Sequence, residues 1–107
     1  VYAEPRYSNS NKITLSITYS SDEAVCYVKI KGDIGTTSIT NCTVSLTDSN
    51  GNEVKSWSNL SSQSTMLICT KTASSVTKGE TYTLSVSAYV NRNGSSEHVT
   101  DSISKKY

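Results

Sequence analysis

The sequence predicts an all-β fold, two antiparallel sheets packed as a sandwich of about seven short strands. Three observations carry this. The segment Val76–Val90 contains a polar turn, Lys78-Gly79-Glu80, and then alternates without a break. Tyr82, Leu84, Val86, Ala88 and Val90 fall on one side, and Thr83, Ser85, Ser87 and Tyr89 on the other. A period of two belongs to a strand with one buried face. Turn signals rich in Gly, Asn and Ser recur at short intervals, and no segment of useful length has a helical period.

The other elements follow in order. Residues 1–11 read as an extended leader. From Lys12 to Ser20, Ile13, Leu15, Ile17 and Tyr19 alternate with Lys12, Thr14, Ser16 and Thr18, which makes a first strand. Ser20-Ser21-Asp22 turns the chain. Ala24, Cys26, Val28 and Ile30 then face inward, with Val25, Tyr27, Lys29 and Lys31 outward. A loop from Asp33 to Ser38, around Gly35, leads to a third strand from about Ile39, with Cys42, Val44 and Leu46 inward.

Asp48-Ser49-Asn50-Gly51 is the strongest hairpin signal, because Asn-Gly tolerates the positive φ of tight turns. The return strand, Glu53 to Ser58, carries Val54 and Trp57, and Asn59 to Ser64 reads as a polar loop. Met66-Leu67-Ile68-Cys69 has no alternation, so the side facing the core is open. Asn91-Arg92-Asn93-Gly94-Ser95 is a second hairpin turn. The last strand, from about Glu97 to Lys105, places Asp101 on the same side as Val99 and Ile103. An inward charge of that kind keeps an edge strand from pairing with a neighbour.

At 107 residues the chain is one domain. Net charge is +1 and the charges are scattered, which argues against nucleic acid. No stretch is long and apolar enough to insert in a membrane. Ser and Thr make up about a third of the residues, giving uncharged outward faces of an extracellular kind. Val1-Tyr2-Ala3 has the shape of a signal-peptidase site, so a secreted or surface location is expected.

The residues Val76, Lys78-Gly79 and Tyr82 are spaced like the loop before the sixth strand of fibronectin type III domains, and the Tyr resembles the tyrosine corner of immunoglobulin-like sandwiches. The chain as a whole is similar to small exported immunoglobulin-like proteins of Gram-positive bacteria, Ser/Thr-rich with an early cysteine and an Asp-x-Asn-Gly hairpin. The resemblance implies an immunoglobulin-like fold and no particular ligand. It departs at Leu84, where antibody-type domains place their second bridging cysteine, and at Trp57, which is not on the third strand. No Arg-Gly-Asp occupies the last hairpin.

Cys26, Cys42 and Cys69 include no C-x-x-C pair, so zinc is not expected. Either one bridge and one free thiol form, in any of three pairings, or all three are small buried hydrophobes. An unpaired thiol could cross-link two chains; a buried inert thiol is the simpler reading. His98 beside Glu97 would serve a Cys–His nucleophile only with a thiol nearby; a solvated strand residue is the simpler reading. Asp48, Asn50 and Asn52 lack the glycine position and closing Glu of a calcium loop. Asn41, Asn59 and Asn93 begin Asn-x-Ser/Thr triplets, which arise by chance in such a composition.

No catalytic, cofactor or metal residues are assigned, and no enzyme activity or cofactor is expected. The leading expectation is a non-catalytic secreted or surface module, monomer or weak dimer, for an unknown protein or glycan ligand. Its contact surfaces would be the Asn50-Gly51 and Asn93-Gly94 hairpins or a sheet edge that adds a strand. The alternative is a carbohydrate-binding module using Trp57 and the outward Tyr27 and Tyr89.

Overall fold

A computed structural model describes residues 11–107. The signal-peptidase-like site and all of the expected leader except Asn11 lie outside the described residues. Seven strands follow: β1 Lys12–Ser20, β2 Glu23–Lys31, β3 Thr36–Thr47, β4 Glu53–Ser62, β5 Met66–Ser74, β6 Thr81–Arg92 and β7 Ser95–Lys106. They form a three-stranded sheet, β1-β2-β5, and a four-stranded sheet, β4-β3-β6-β7, with every pairing antiparallel.

The alternation fixes which faces meet. Ala24, Cys26, Val28 and Ile30 of β2 are buried against Cys42, Val44 and Leu46 of β3 and Leu84, Val86, Ala88 and Val90 of β6. β5 resolves the open question of its phase: Leu67 and Ala73 are buried, Cys69 is half-buried against the core, and Ile68 faces out.

Two boundaries differ from expectation. β3 begins at Thr36, not near Ile39, and β4 continues to Ser62 through the expected loop at Asn59–Ser64. The early start of β3 comes from pairing of Thr36 and Ser38 with Arg92 and Asn91 of β6, and the continuation of β4 from a pair of bulges. Ile39 and Cys42 are both fully buried although three positions apart, so one extra residue must be absorbed between them. Asn41, with φ 51°, absorbs it. In β4, Asn59 at φ 60° absorbs another, so that Trp57 pairs with Val44 and Leu60 with Cys42. Asn enters the left-handed region more readily than most residues. Asn93, at φ 51°, heads the β6–β7 hairpin. The three asparagines of the Asn-x-Ser/Thr triplets thus share a backbone reason for being Asn.

The chain crosses from β5 to β6 between sheets, and hydrogen bonds tie this crossing down. Thr77-Lys78-Gly79-Glu80 is a turn with Glu80 N–H donating to Thr77 O at 3.2 Å and Gly79 at φ 95°. Such a φ at the third turn position calls for Gly. Tyr82 points into the core with only 4% of its surface exposed, and its hydroxyl accepts from Thr77 N–H at 2.8 Å. This is the tyrosine corner.

Two further tyrosines extend it. Tyr107 stacks on Tyr19, with ring centres 4.5 Å apart, and Tyr19 lies 6.1 Å from Tyr82. The Tyr107 hydroxyl accepts from Asp22 N–H at 2.9 Å, holding the β1–β2 turn, where Ser21 and Asp22 both have positive φ. The Tyr107 backbone pairs with Gly79 and Glu80 at 3.0 and 2.9 Å. The Tyr19 hydroxyl donates to Lys105 O. One end of the sandwich is therefore clasped by three phenols, each bonded to backbone in another part of the chain.

Replacing Tyr82 by Phe keeps the ring and removes the acceptor. The expected loss is about 1 kcal/mol, read as a lower urea midpoint with unchanged m-value. No shift in midpoint would show that the hydroxyl carries no weight.

Candidate functional site

The structure separates most of the residues that the sequence singled out. His98 lies on the outer face of β7, opposite Tyr89, with the two rings stacked 4.8 Å apart. Cys26 and Cys42 are fully buried on inner faces, and Cys69 is half-buried beside them. No thiol shares a face with His98, so a Cys–His pair does not form. All three cysteines are free. Burial, and then the nearness of Cys69, pushes the Cys26 and Cys42 thiols up to about 11. Burial also raises Cys69, with Lys71 opposing. These are neutral core groups.

Asp48 is occupied by its own turn. Its Oδ1 accepts from Asn50 N–H and Asn52 N–H, both at 2.9 Å, while Asp48 and Asn52 close the hairpin backbone. Only Gly51 has positive φ here, so this is a longer turn than Asn-Gly suggested. The tight form occurs at Asn93-Gly94, with φ of 51° and 80°. Among the described residues no cluster of three or more His, Cys, Asp or Glu is placed to hold a metal ion.

Trp57 sits on the inner side of β4, half-buried against the core, and caps the sandwich there. Tyr27 and Tyr89 lie on different sheets and share no platform. On the outside of β3, β6 and β7 the facing side chains are small hydroxyls. Thr43, Ser45, Ser85, Ser87, Thr100 and Ser102, with Val86 and Asp101, line a shallow groove of about 500 Å³, and the Tyr89–His98 stack lies one row beyond it.

The sheet edges are guarded. Asp101 has the inward position of β7 and is exposed there, as the sequence suggested. Lys71 occupies an inward position on β5, β4 is bent by the Asn59 bulge, and Lys105 Nζ donates to Ile17 O of β1 at 2.9 Å. Each device hinders strand addition.

The sequence places a loop from Asp33 to Ser38 but does not show how firmly this β2–β3 connection is braced. Asp33-Ile34-Gly35-Thr36 is a turn closed by Thr36 N–H to Asp33 O at 3.1 Å, with Gly35 at φ 97°. Asp33 Oδ1 accepts from Ile34 N–H at 2.8 Å, and Asp33 N–H donates to Asn11 Oδ1 at 3.1 Å. Arg92, at the end of β6, donates from Nε to Ile34 O at 2.6 Å and approaches the Asp33 carboxylate at 4.0 Å. Gly32 N–H donates to Thr65 O, and a Cβ on Gly32 would collide with the buried side chain of Thr36. The result is a braced turn with Ile34 at its apex, 86% exposed. The signal available in the sequence was Gly32 and Gly35 bracketing an isolated Ile.

No family model matches the chain, and no curated protein is similar to it. Among solved structures, a β-glucuronidase from Parabacteroides merdae, with glycerol in its active site, matches with a TM-score of 0.53 and 16% identity over 85% of this chain. This chain spans 13% of that protein. At that identity the likeness speaks for the fold alone. The fold is an immunoglobulin-like, two-sheet antiparallel sandwich.

The buried thiols give the protein an alkaline limit. Below pH 9 they are protonated in folded and unfolded chains alike, and their burial contributes in full. Between the ordinary thiol value of 9.0 and about 11 the unfolded chain releases protons that the fold keeps. Stability is expected to fall as pH rises through that window. Urea midpoints at pH 8 and pH 10.5, in reductant, would show it, with a weaker drop in the Cys26→Ala/Cys42→Ala double variant. Equal drops in both proteins would remove the thiols as the cause.

Proposed function

We propose that the chain is a non-catalytic binding module of a secreted or cell-surface bacterial protein, of the fibronectin type III-like kind. The observation that carries this is the braced β2–β3 loop with Ile34 held out into solvent. A lone exposed apolar residue is ordinary. A backbone fixed by a side chain from a distant strand in order to present one is not. A preformed loop loses little conformational entropy on docking, which favours a specific partner. The position of β4 beside β3, together with the tyrosine corner, supports the fibronectin-like reading. The Ser/Thr-rich outer faces support an extracellular location. The β6–β7 hairpin at Asn93-Gly94 lies at the same end of the sandwich as the β2–β3 loop, since Thr36 pairs with Arg92.

A photo-crosslinking amino acid placed at position 34 of the protein in its native host tests this reading. Crosslinks to a discrete partner are expected from position 34 and not from Asn52, at the opposite end. No crosslink from position 34, or equal labelling from both, would contradict it.

A second reading rests on a different face. The Tyr89–His98 stack beside the hydroxyl groove offers a ring and hydrogen-bonding groups, the two things a sugar-binding surface uses. In this reading Trp57 has no part. Titration with soluble polysaccharides would shift the Tyr89 and His98 NMR signals, and Tyr89→Ala would abolish the shift; unmoved signals with every glycan would end it.

A further inference from the structure

The outer face of the three-stranded sheet is basic in a chain that is otherwise balanced. The β1–β2 register sets Lys12 directly opposite Lys31, and Lys29 lies two residues from Lys31 on the same face. Directly opposed Cβ atoms in such a pair are about 5 Å apart, and like charges there oppose strand pairing. Among the described residues these three lysines form no ion pair. The nearest carboxylate in sequence, Asp33, is turned to Arg92 and the Ile34 N–H. The concentration is local, because the chain has 10 basic against 9 acidic residues.

Apolar surface accompanies the charge. Ile68 of β5, 56% exposed, pairs directly with Lys29, and Ile34 lies in the loop that continues from Lys31. These are the large aliphatic side chains that the described surface leaves most open. At the loop end of this face Lys12, Lys31, Gly32, Asp33 and Ile34 line a depression of about 300 Å³.

We infer that this face docks an acidic protein segment, with a carboxylate seated in the depression between Lys12 and Lys31 and apolar side chains against Ile34 and Ile68. The inference rests on the binding-module reading and names the chemistry of its partner. Charge complementarity selects the acid: two ammonium groups flank the hollow, and the one carboxylate in its lining among the described residues, Asp33, is turned to Arg92 and the Ile34 N–H. The isoleucines select a peptide over other polyanions. A nucleic-acid or glycan backbone leaves both exposed, and three lysines on a chain of net charge +1 give little of the phosphate neutralisation on which nucleic-acid binding depends. Opposed lysines that weaken the free sheet are relieved when an anion lies between them.

The test uses labelled ten-residue peptides of alternating Glu and Leu, with Glu/Ser and Lys/Leu peptides as controls, heparin, and vesicles of phosphatidylcholine with phosphatidylserine. The Glu/Leu peptide is expected to bind and to shift the NMR signals of Lys12, Lys29, Lys31, Ile34 and Ile68. Glu/Ser should bind about tenfold more weakly, and Lys/Leu not at all. Lys12→Glu/Lys31→Glu should abolish binding and Lys12→Gln/Lys31→Gln weaken it. Raising salt from about 0.05 to 0.5 M should weaken it about tenfold. Tighter binding of heparin or vesicles than of the Glu/Leu peptide, or shifts spread over other faces, would overturn the proposal. The position-34 crosslink separates the two readings. If it forms in the native host and persists in Lys12→Glu/Lys31→Glu, the module stands and the acidic partner falls. If it never forms, the module falls, and the peptide titration alone decides what the lysine face binds.

Discussion

The structure depends on one hydrogen bond at a crossing point. Tyr82 must be buried for β6 to face the core in the right phase, and a buried hydroxyl needs a partner. Thr77 N–H, five residues upstream, is that partner. Meeting both demands ties the loop between sheets to the first residues of β6. The phase of β6 then sets everything beside it, because β6 pairs with β3 on one side and β7 on the other. Tyr107 and Tyr19 extend the tie to the β1–β2 turn and to the end of β7, so both sheets are pinned at the same end.

Much of this was legible in the sequence because alternation is a local signal. Five apolar residues at even positions from Tyr82 to Val90, after Lys78-Gly79, specify strand, phase and corner together. Local signals fail where pairing decides. The bulges at Asn41 and Asn59 change the parity of β3 and β4, and Asn reads as a loop residue whenever its left-handed use is not anticipated. The phase of β5 came from its partner: Leu67 opposes Ile30 and Cys69 opposes Val28, both buried. Tyr107 carried no pattern at all, since its contacts are to residues far away in the chain.

The candidate surface was less legible for the same reason. Exposure of Ile34 follows from the reach of Arg92 across the end of the sandwich, a contact between residues 58 apart. The lysine pair was within reach of counting: a two-residue turn at Ser21-Asp22 implies Ser20 opposite Glu23 and, eight steps on, Lys12 opposite Lys31. The two outer faces therefore differ in kind. One is a hydroxyl-rich sheet with a single aromatic stack, and the other is basic, apolar and hollowed at its loop end. The guarded edges disfavour strand addition.

Amide hydrogen exchange at Thr77 measures the central constraint directly. Thr77 lies in an exposed turn, and the hydroxyl of Tyr82 is the acceptor for its N–H. The expected result is protection comparable to the amides of β6, lost only when the whole domain opens. Exchange as fast as at Lys78, in the same turn, would mean that the corner is not closed and that the crossing is held in some other way.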